Sequence, residues 1–260
     1  MLTAEQLQAS VPAIFAESPS PKVSETYRFV KTTDYIDALQ SQGWYVHDAR
    51  GTQSRKKDPQ FGRHMVVLKN TAIERSREDL GGLTPSIYLI NSHDHTSLVR
   101  GFMGLIRSVC ENGLMAGSVF SSFAFKHTQS AKEVADVLTV GFLNEAQKLV
   151  DTADKWASIN LTPEERISLA ADARFLRFGE KSEIDPVALL TPRRPQDDGT
   201  DLWRTLNVIQ ENCMVGGIRY QGMKRRSREL TNIGKSVEFN TELWNRANKL
   251  SLQIEVGEAQ

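Results

Sequence analysis

The chain has 260 residues, 40% hydrophobic and 25% charged, with 32 Lys and Arg against 32 Asp and Glu and a formal net charge of zero. This is an ordinary globular composition, long enough for one large domain or a core with an appendage, and the balance excludes an acidic mimic of DNA, which needs a large negative excess. Two cysteines, Cys110 and Cys213, are too few for a disulfide framework or a thiolate zinc site and fit a reducing cytoplasm.

In chain order, the first residues carry no basic leader and no later apolar run approaches 18 residues, so the sequence reads as cytoplasmic, without signal peptide or membrane span. Thr3 and Gln6 form a capping box for a short helix ending near Phe15. "ETYRFV" (25–30) reads as a strand, and "TTDYIDALQSQG" as a helix capped by Thr32 or Thr33 and stopped at Gly43. "WYVHDAR" and "RHMVVLKN" read as the arms of a hairpin with the polar tip "GTQSRKKDPQFG", and "SIYLINS" as a further strand. A helix is expected over 96–112, because Leu98, Phe102, Leu105, Ile106, Val109 and Cys110 recur at helical spacing and Asn112-Gly113 is a stop.

Beyond Ser130 the chain reads as mostly helical. Ser130 with Glu133 opens a run to about Trp156, and Thr162, Pro163 and Glu165 open a second helix. "TPRRPQDDGT" is a linker, "DLWRTLNVIQENCM" a helix ended by Gly216 and Gly217, and "NTELWNRANKLSLQI" a closing helix. The fold expected is α+β: a small antiparallel sheet, made of a β-hairpin plus further strands and packed with helices, followed by a mainly helical C-terminal half. The expected division is residues 1–128, holding the basic hairpin, and residues 129–260, holding a basic loop at 219–235.

The segment "LINSHDHTSLVRGFMGLIRSVCENGLMAG" concentrates His93, Asp94, His95, Arg100 and Arg107. Two histidines in one turn are too few for zinc or iron, and His47, His64 and His127 stand at no ligand spacing, so no metal is assigned. Asn, Ser and Asp after an apolar strand form turns and caps, which makes "NSHD" a strand-to-helix turn. Arg100 and Arg107, seven apart on the expected helix, lie off its apolar stripe; they read either as solvated charges or as phosphate contacts.

A phosphate loop, nucleophile elbow, H-E-x-x-H and C-x-x-C are all missing, Asp197-Asp198 reads as a turn, and neither cofactor nor catalytic residue is assigned. Three basic patches remain. The hairpin tip holds Arg55, Lys56, Lys57 and Arg63; the linker holds Arg193 and Arg194. The third holds Arg219, Lys224, Arg225, Arg226 and Arg228 with Tyr220. Each alone fits a solvated loop, but three in a neutral chain favour a polyanion, with Tyr220 and Phe61 offering rings to unpaired bases.

The residues "LINSHD", "R-x-V-C-x-N-G-L", "LTPRR", "DLW…IQEN…GG" and "N-x-x-LW" occur in that order, from "VPAIFAE" onward. In these the chain resembles the YafZ/YubP-like family carried by bacterial prophages, plasmids and integrative elements. Where this chain has His95 that family tends to have Gly, which removes His95 from any shared metal site and favours a turn. The order helix, basic hairpin, strand, basic helix is also similar to single-strand annealing proteins of the Erf and RecT kind, a likeness of topology alone. The resulting expectation is an oligomeric mobile-element protein that binds or anneals single-stranded DNA in recombination or conjugative transfer. An anti-defence or anti-restriction protein acting on a host protein is the alternative, and a nuclease is the least supported.

Overall fold

The computed structural model describes residues 3–52, 58–70, 82–107, 113–115, 122–125, 130–222 and 224–258. The chain divides into two compact units: Met1–Ser76, Thr84–Ile106 and Val119–Lys148 form the first, and Arg77–Leu83, Arg107–Ser118 and Leu149–Gln260 the second.

The first unit opens with α1 (Ala4–Ser10), where the Thr3–Gln6 box closes both ways, followed by a 3-10 turn at Pro12–Phe15. Helix α2 (Thr32–Gln40) buries Thr32, Tyr35, Ile36 and Leu39, one stripe at helical spacing. Lys31, not a threonine, occupies its cap position, because the Thr32 hydroxyl is turned inward. Gly43 at φ +87° takes the chain into β1 (Trp44–Gly51).

Strands β2 (His64–Asn70) and β3 (Leu83–Asn91) follow, and β1 pairs antiparallel with β2 through a bulge at His47. The sheet order continues to β4 (Val99–Arg107), with β6 (Ser122–Phe125) antiparallel on β4. The expected antiparallel sheet is therefore present.

Two expected elements are not. Residues 25–30 form no strand; Tyr27 and Phe29 pack edge-on to the rings of His95 and His93 instead of entering a ladder. The expected helix over 96–112 is a strand over Val99–Arg107, and residues 108–112 lie outside the described residues. Every residue of β4 except Arg100 is buried. A strand buried on both faces makes a continuous apolar run, which satisfies helical spacing by accident. Gly101 decides the packing: a Cβ there would meet Leu138 Cδ2 at 2.2 Å, so the bare backbone lets the helix carrying Leu138 sit directly on the strand.

That helix is α3 (Ala131–Ser158), opened by the Ser130–Glu133 box. Its buried stripe of Val134, Ala135, Leu138 and Phe142 carries Phe142 against Trp44 at 4.5 Å, and Trp44 Nε1 donates to Thr139 Oγ1 at 3.0 Å.

The described residues of the second unit are mainly helical, with the short strand β5 (Gly113–Met115) packing near α6. It contains α4 (Pro163–Phe178), capped by Thr162 with Glu165, α5 (Leu202–Val215), capped by Asp201, and α6 (Ile233–Glu258). Helix α6 starts well before the expected "NTELW", because the Asn232 side chain accepts from Lys235 N at 3.0 Å and caps a new start. Trp156 and Trp244 pack at 4.4 Å. The linker carries a 3-10 turn at Pro195–Asp197.

Candidate functional site

The residues "NSHDHTS" connect β3 to β4, so the turn joins strand to strand rather than strand to helix. Asp94 Oδ1 accepts from Thr96 N at 3.1 Å, an Asx turn. His95 sits at φ 63°, the conformation that favours glycine. His93 goes the other way and is fully buried beside His64, which β2 brings opposite Asn91.

Hydrogen-bond accounting fixes the protons in this cluster. Thr32 Oγ1 lies 2.7 Å from His64 Nε2, 3.2 Å from His93 Nε2 and 3.0 Å from the donating Asn91 Nδ2. His64 Nδ1 faces the Gly62 carbonyl at 2.9 Å and must donate to it, so its Nε2 accepts the single Thr32 proton. The remaining Thr32 lone pair then accepts from His93 Nε2. Burial depresses the His64 imidazolium to about pH 4. The Thr32 hydroxyl is thereby saturated, and His64 is held neutral. Among the described residues no three or more His, Cys, Asp or Glu gather as for a metal ion.

The backbone of His93 ties two more segments together: its N–H donates to Phe61 O at 3.0 Å, and its carbonyl accepts from Ser20 N at 2.9 Å.

Three of the arginines expected at phosphates are engaged internally in the second unit. Arg107 is 3% exposed and pairs with Asp197, which is fully buried. Arg194 bridges the other Asp197 oxygen, at 2.9 Å, to Glu211 on α5. Arg193 donates to Asn212 Oδ1 at 2.8 Å and to Gly216 O at 2.5 Å, while Asn212 Nδ2 donates to the Leu189 and Thr191 carbonyls. Arg107 and Arg194 thus balance two carboxylates. The linker is a strap fastened to the polar face of α5, and Arg107 offers no edge to a phosphate.

The third patch is different. Residues 217–228 form a small hairpin: Gly217 N donates to Ser227 O at 2.9 Å, Ser227 N to Ile218 O at 2.8 Å and Tyr220 N to Arg225 O at 3.2 Å, with the turn passing through Gly222 at φ +68°. Arg219 and Arg226 stand opposite one another across it. Arg219, Lys224, Arg225, Arg226 and Arg228 are all exposed, and among the described residues none of them forms an ion pair. The Arg225 guanidinium lies over the Tyr220 ring at 5.0 Å.

The hairpin base is fixed from two sides. At Gly216 a Cβ would stand 2.7 Å from the Arg228 carbonyl carbon. Arg177, which the sequence reading missed, donates to Cys213 O at 3.0 Å and Arg228 O at 2.9 Å. Its only sequence signal is a cation in the last turn of α4. Burial pushes the Cys213 thiol up to about 12, which leaves it inert.

In the first unit, Arg100 is exposed on β4, and Arg63 donates to Thr96 O at 2.5 Å. Arg55, Lys56 and Lys57 lie outside the described residues.

Comparison with known proteins places this architecture. The family described as "Domain of unknown function (DUF932)" matches residues 21–244. The chain belongs to the DUF932 family. It is 33% identical to UPF0380 protein YafZ of Escherichia coli (strain K12) over 263 residues, covering 98% of this chain and 93% of that one. It is 32% identical to UPF0380 protein YfjQ of the same organism over the same span. No solved structure matches.

The residues that carry the YafZ-like resemblance are largely skeletal in this DUF932 chain. "LTPRR" supplies the strap arginines and "IQEN" their partners Glu211 and Asn212, while Gln210 donates to Asn240 of "N-x-x-LW" at 2.9 Å.

Proposed function

We propose that this DUF932 chain is a cytoplasmic, oligomeric DNA-binding protein that binds or anneals single-stranded DNA during mobile-element recombination or transfer. The observation that carries the reading is the 217–228 hairpin, five exposed cations that form no ion pair among the described residues, in a chain of zero net charge. Like charges directly opposite on paired strands are destabilising, and Arg219 faces Arg226 across this one. A phosphate between them removes that repulsion, and each neutralised phosphate releases counterions.

The Arg225–Tyr220 stack supports a single strand over a duplex, because an unpaired base extends such a stack whereas a paired base has no free face. Arg63 and Arg100 are further phosphate candidates of the first unit. Among the described residues no helix is long and apolar enough to cross a membrane.

Fluorescence anisotropy with single- and double-stranded oligonucleotides at two salt concentrations tests the reading. A salt slope of about −0.7 per phosphate neutralised is expected for the single strand, with weaker binding to duplex. Absence of binding at low salt sinks the proposal and turns attention to a host-protein target for an anti-defence role. Metal-dependent cleavage of the same oligonucleotides would instead establish a nuclease.

A further inference from the structure

A cavity of about 270 Å³ opens in the first unit between the 3-10 turn at 12–15 and the turn at 58–61, lined by Gln8, Pro12, Phe15, Glu17, Gln60 and Phe61 among others. Both walls are fixed. Asp58 Oδ1 accepts from Gln60 N at 2.9 Å and Asp58 O from Phe61 N at 3.3 Å. The Phe61 carbonyl is bonded to His93 N, and the segment after Ala16 is bonded through Ser20 N to His93 O. One buried residue therefore sets the spacing of the two walls.

The lining narrows the occupant. Its one charged lining residue is Glu17, whose carboxylate is paired with Lys31, and among the described residues no cation lines the cavity, so this lining offers a phosphate no counter-charge. The volume is below that of a drug-sized site and suits one ring system. Phe15, Phe61 and Pro12 present flat apolar surface, while Gln8 and Gln60 bring two primary amides, each donor and acceptor together. An adjacent donor and acceptor is what the edge of a nucleobase displays.

We infer that this cavity binds a single unstacked nucleobase, the aromatic side chains taking its face and the glutamine amides its edge. The inference deepens the single-strand reading proposed above, but it concerns a different set of residues.

Ligand-observed saturation-transfer NMR of the intact chain with each of the four deoxynucleosides tests it, since nucleosides carry no phosphate and bypass the basic hairpin. Saturable transfer to base protons, stronger than to sugar protons, is expected. Phe61→Ala should weaken it about tenfold, in line with the loss of a stacking surface, and Phe61→Tyr should retain it. Gln60→Ala, at an exposed position whose loss leaves packing intact, should change the ranking of the four bases.

No saturable transfer from any nucleoside overturns the inference. So does transfer that survives Phe61→Ala and Phe15→Ala together, or equal competition by free deoxyribose. Nucleoside binding without oligonucleotide binding supports the cavity and sinks the polyanion reading. Salt-dependent oligonucleotide binding without nucleoside binding does the reverse.

Discussion

Two arginine-rich stretches of the second unit, "PRRP" at 192–195 and "KRRSR" at 224–228, look alike in sequence and meet opposite fates. The first is drawn down onto α5, where Arg194 meets Glu211 and Asp197 and Arg193 meets Asn212 and a helix-end carbonyl. The second stays exposed on a hairpin and, among the described residues, meets no carboxylate in an ion pair. Composition does not separate them; what matters is whether a helix within reach carries acids and amides on the facing side. Clustered positive charge marks a partner only after the internal partners have been subtracted.

The comparison breaks first at the strap. Arg107→Ala should cost about 3–5 kcal/mol, because it leaves Asp197 buried with half its compensation gone, and urea unfolding will show it. Replacing the pair together, Arg107→Met with Asp197→Leu, should recover most of that loss. If Arg107→Ala is neutral, the network is ornamental.

Acid provides the next largest effect. His64 stays neutral in the fold down to about pH 4 but takes its proton near 6.5 when unfolded. Between those values the unfolded chain binds the extra proton, so stability falls as pH drops from 6.5 towards 4, by about 3 kcal/mol in all. Below that the contribution is constant. Urea midpoints across this range, compared with His64→Gln, isolate it; an unchanged slope in the variant would remove His64 as the cause.

Gly216→Ala tests the hairpin base. A Cβ at φ +75° and 2.7 Å from the Arg228 carbonyl carbon should cost about 1–3 kcal/mol and shift the hairpin. The thermal midpoint and the anisotropy titration should therefore move together. The smallest effect on stability sharpens the contrast most. Arg225→Ala and Arg226→Ala should each change stability by less than about 0.5 kcal/mol while reducing the oligonucleotide salt slope by about one unit. Truncating Arg193 should do the opposite.

What was legible in the sequence was local. The boxes at Thr3–Gln6, Ser130–Glu133 and Thr162–Glu165 close within three residues, and each helix starts where its box says. The strand at Val99–Arg107 was misread because burial on both faces erases the alternation that marks a strand. The His64–Thr32–His93 cluster joins residues from three segments, and its only forerunner was the register that sets His64 against Asn91. Arg107 and Asp197 lie 90 residues apart, beyond any spacing argument. The position of His95 was readable from the other direction, since the glycine that the YafZ/YubP-like resemblance implies there suits its φ of 63°.

The two hydrogen bonds on the His93 backbone have a dynamic consequence. They join the chain near Ser20, the turn ending at Phe61 and the β3–β4 connection, stretches far apart in sequence, at one peptide. Opening the β3–β4 connection at His93 breaks both bonds, and opening either of the other stretches breaks one. In native-state hydrogen exchange the amides of Ser20 and His93 should therefore belong to one cooperative opening and exchange with the same free energy, although they lie 73 positions apart.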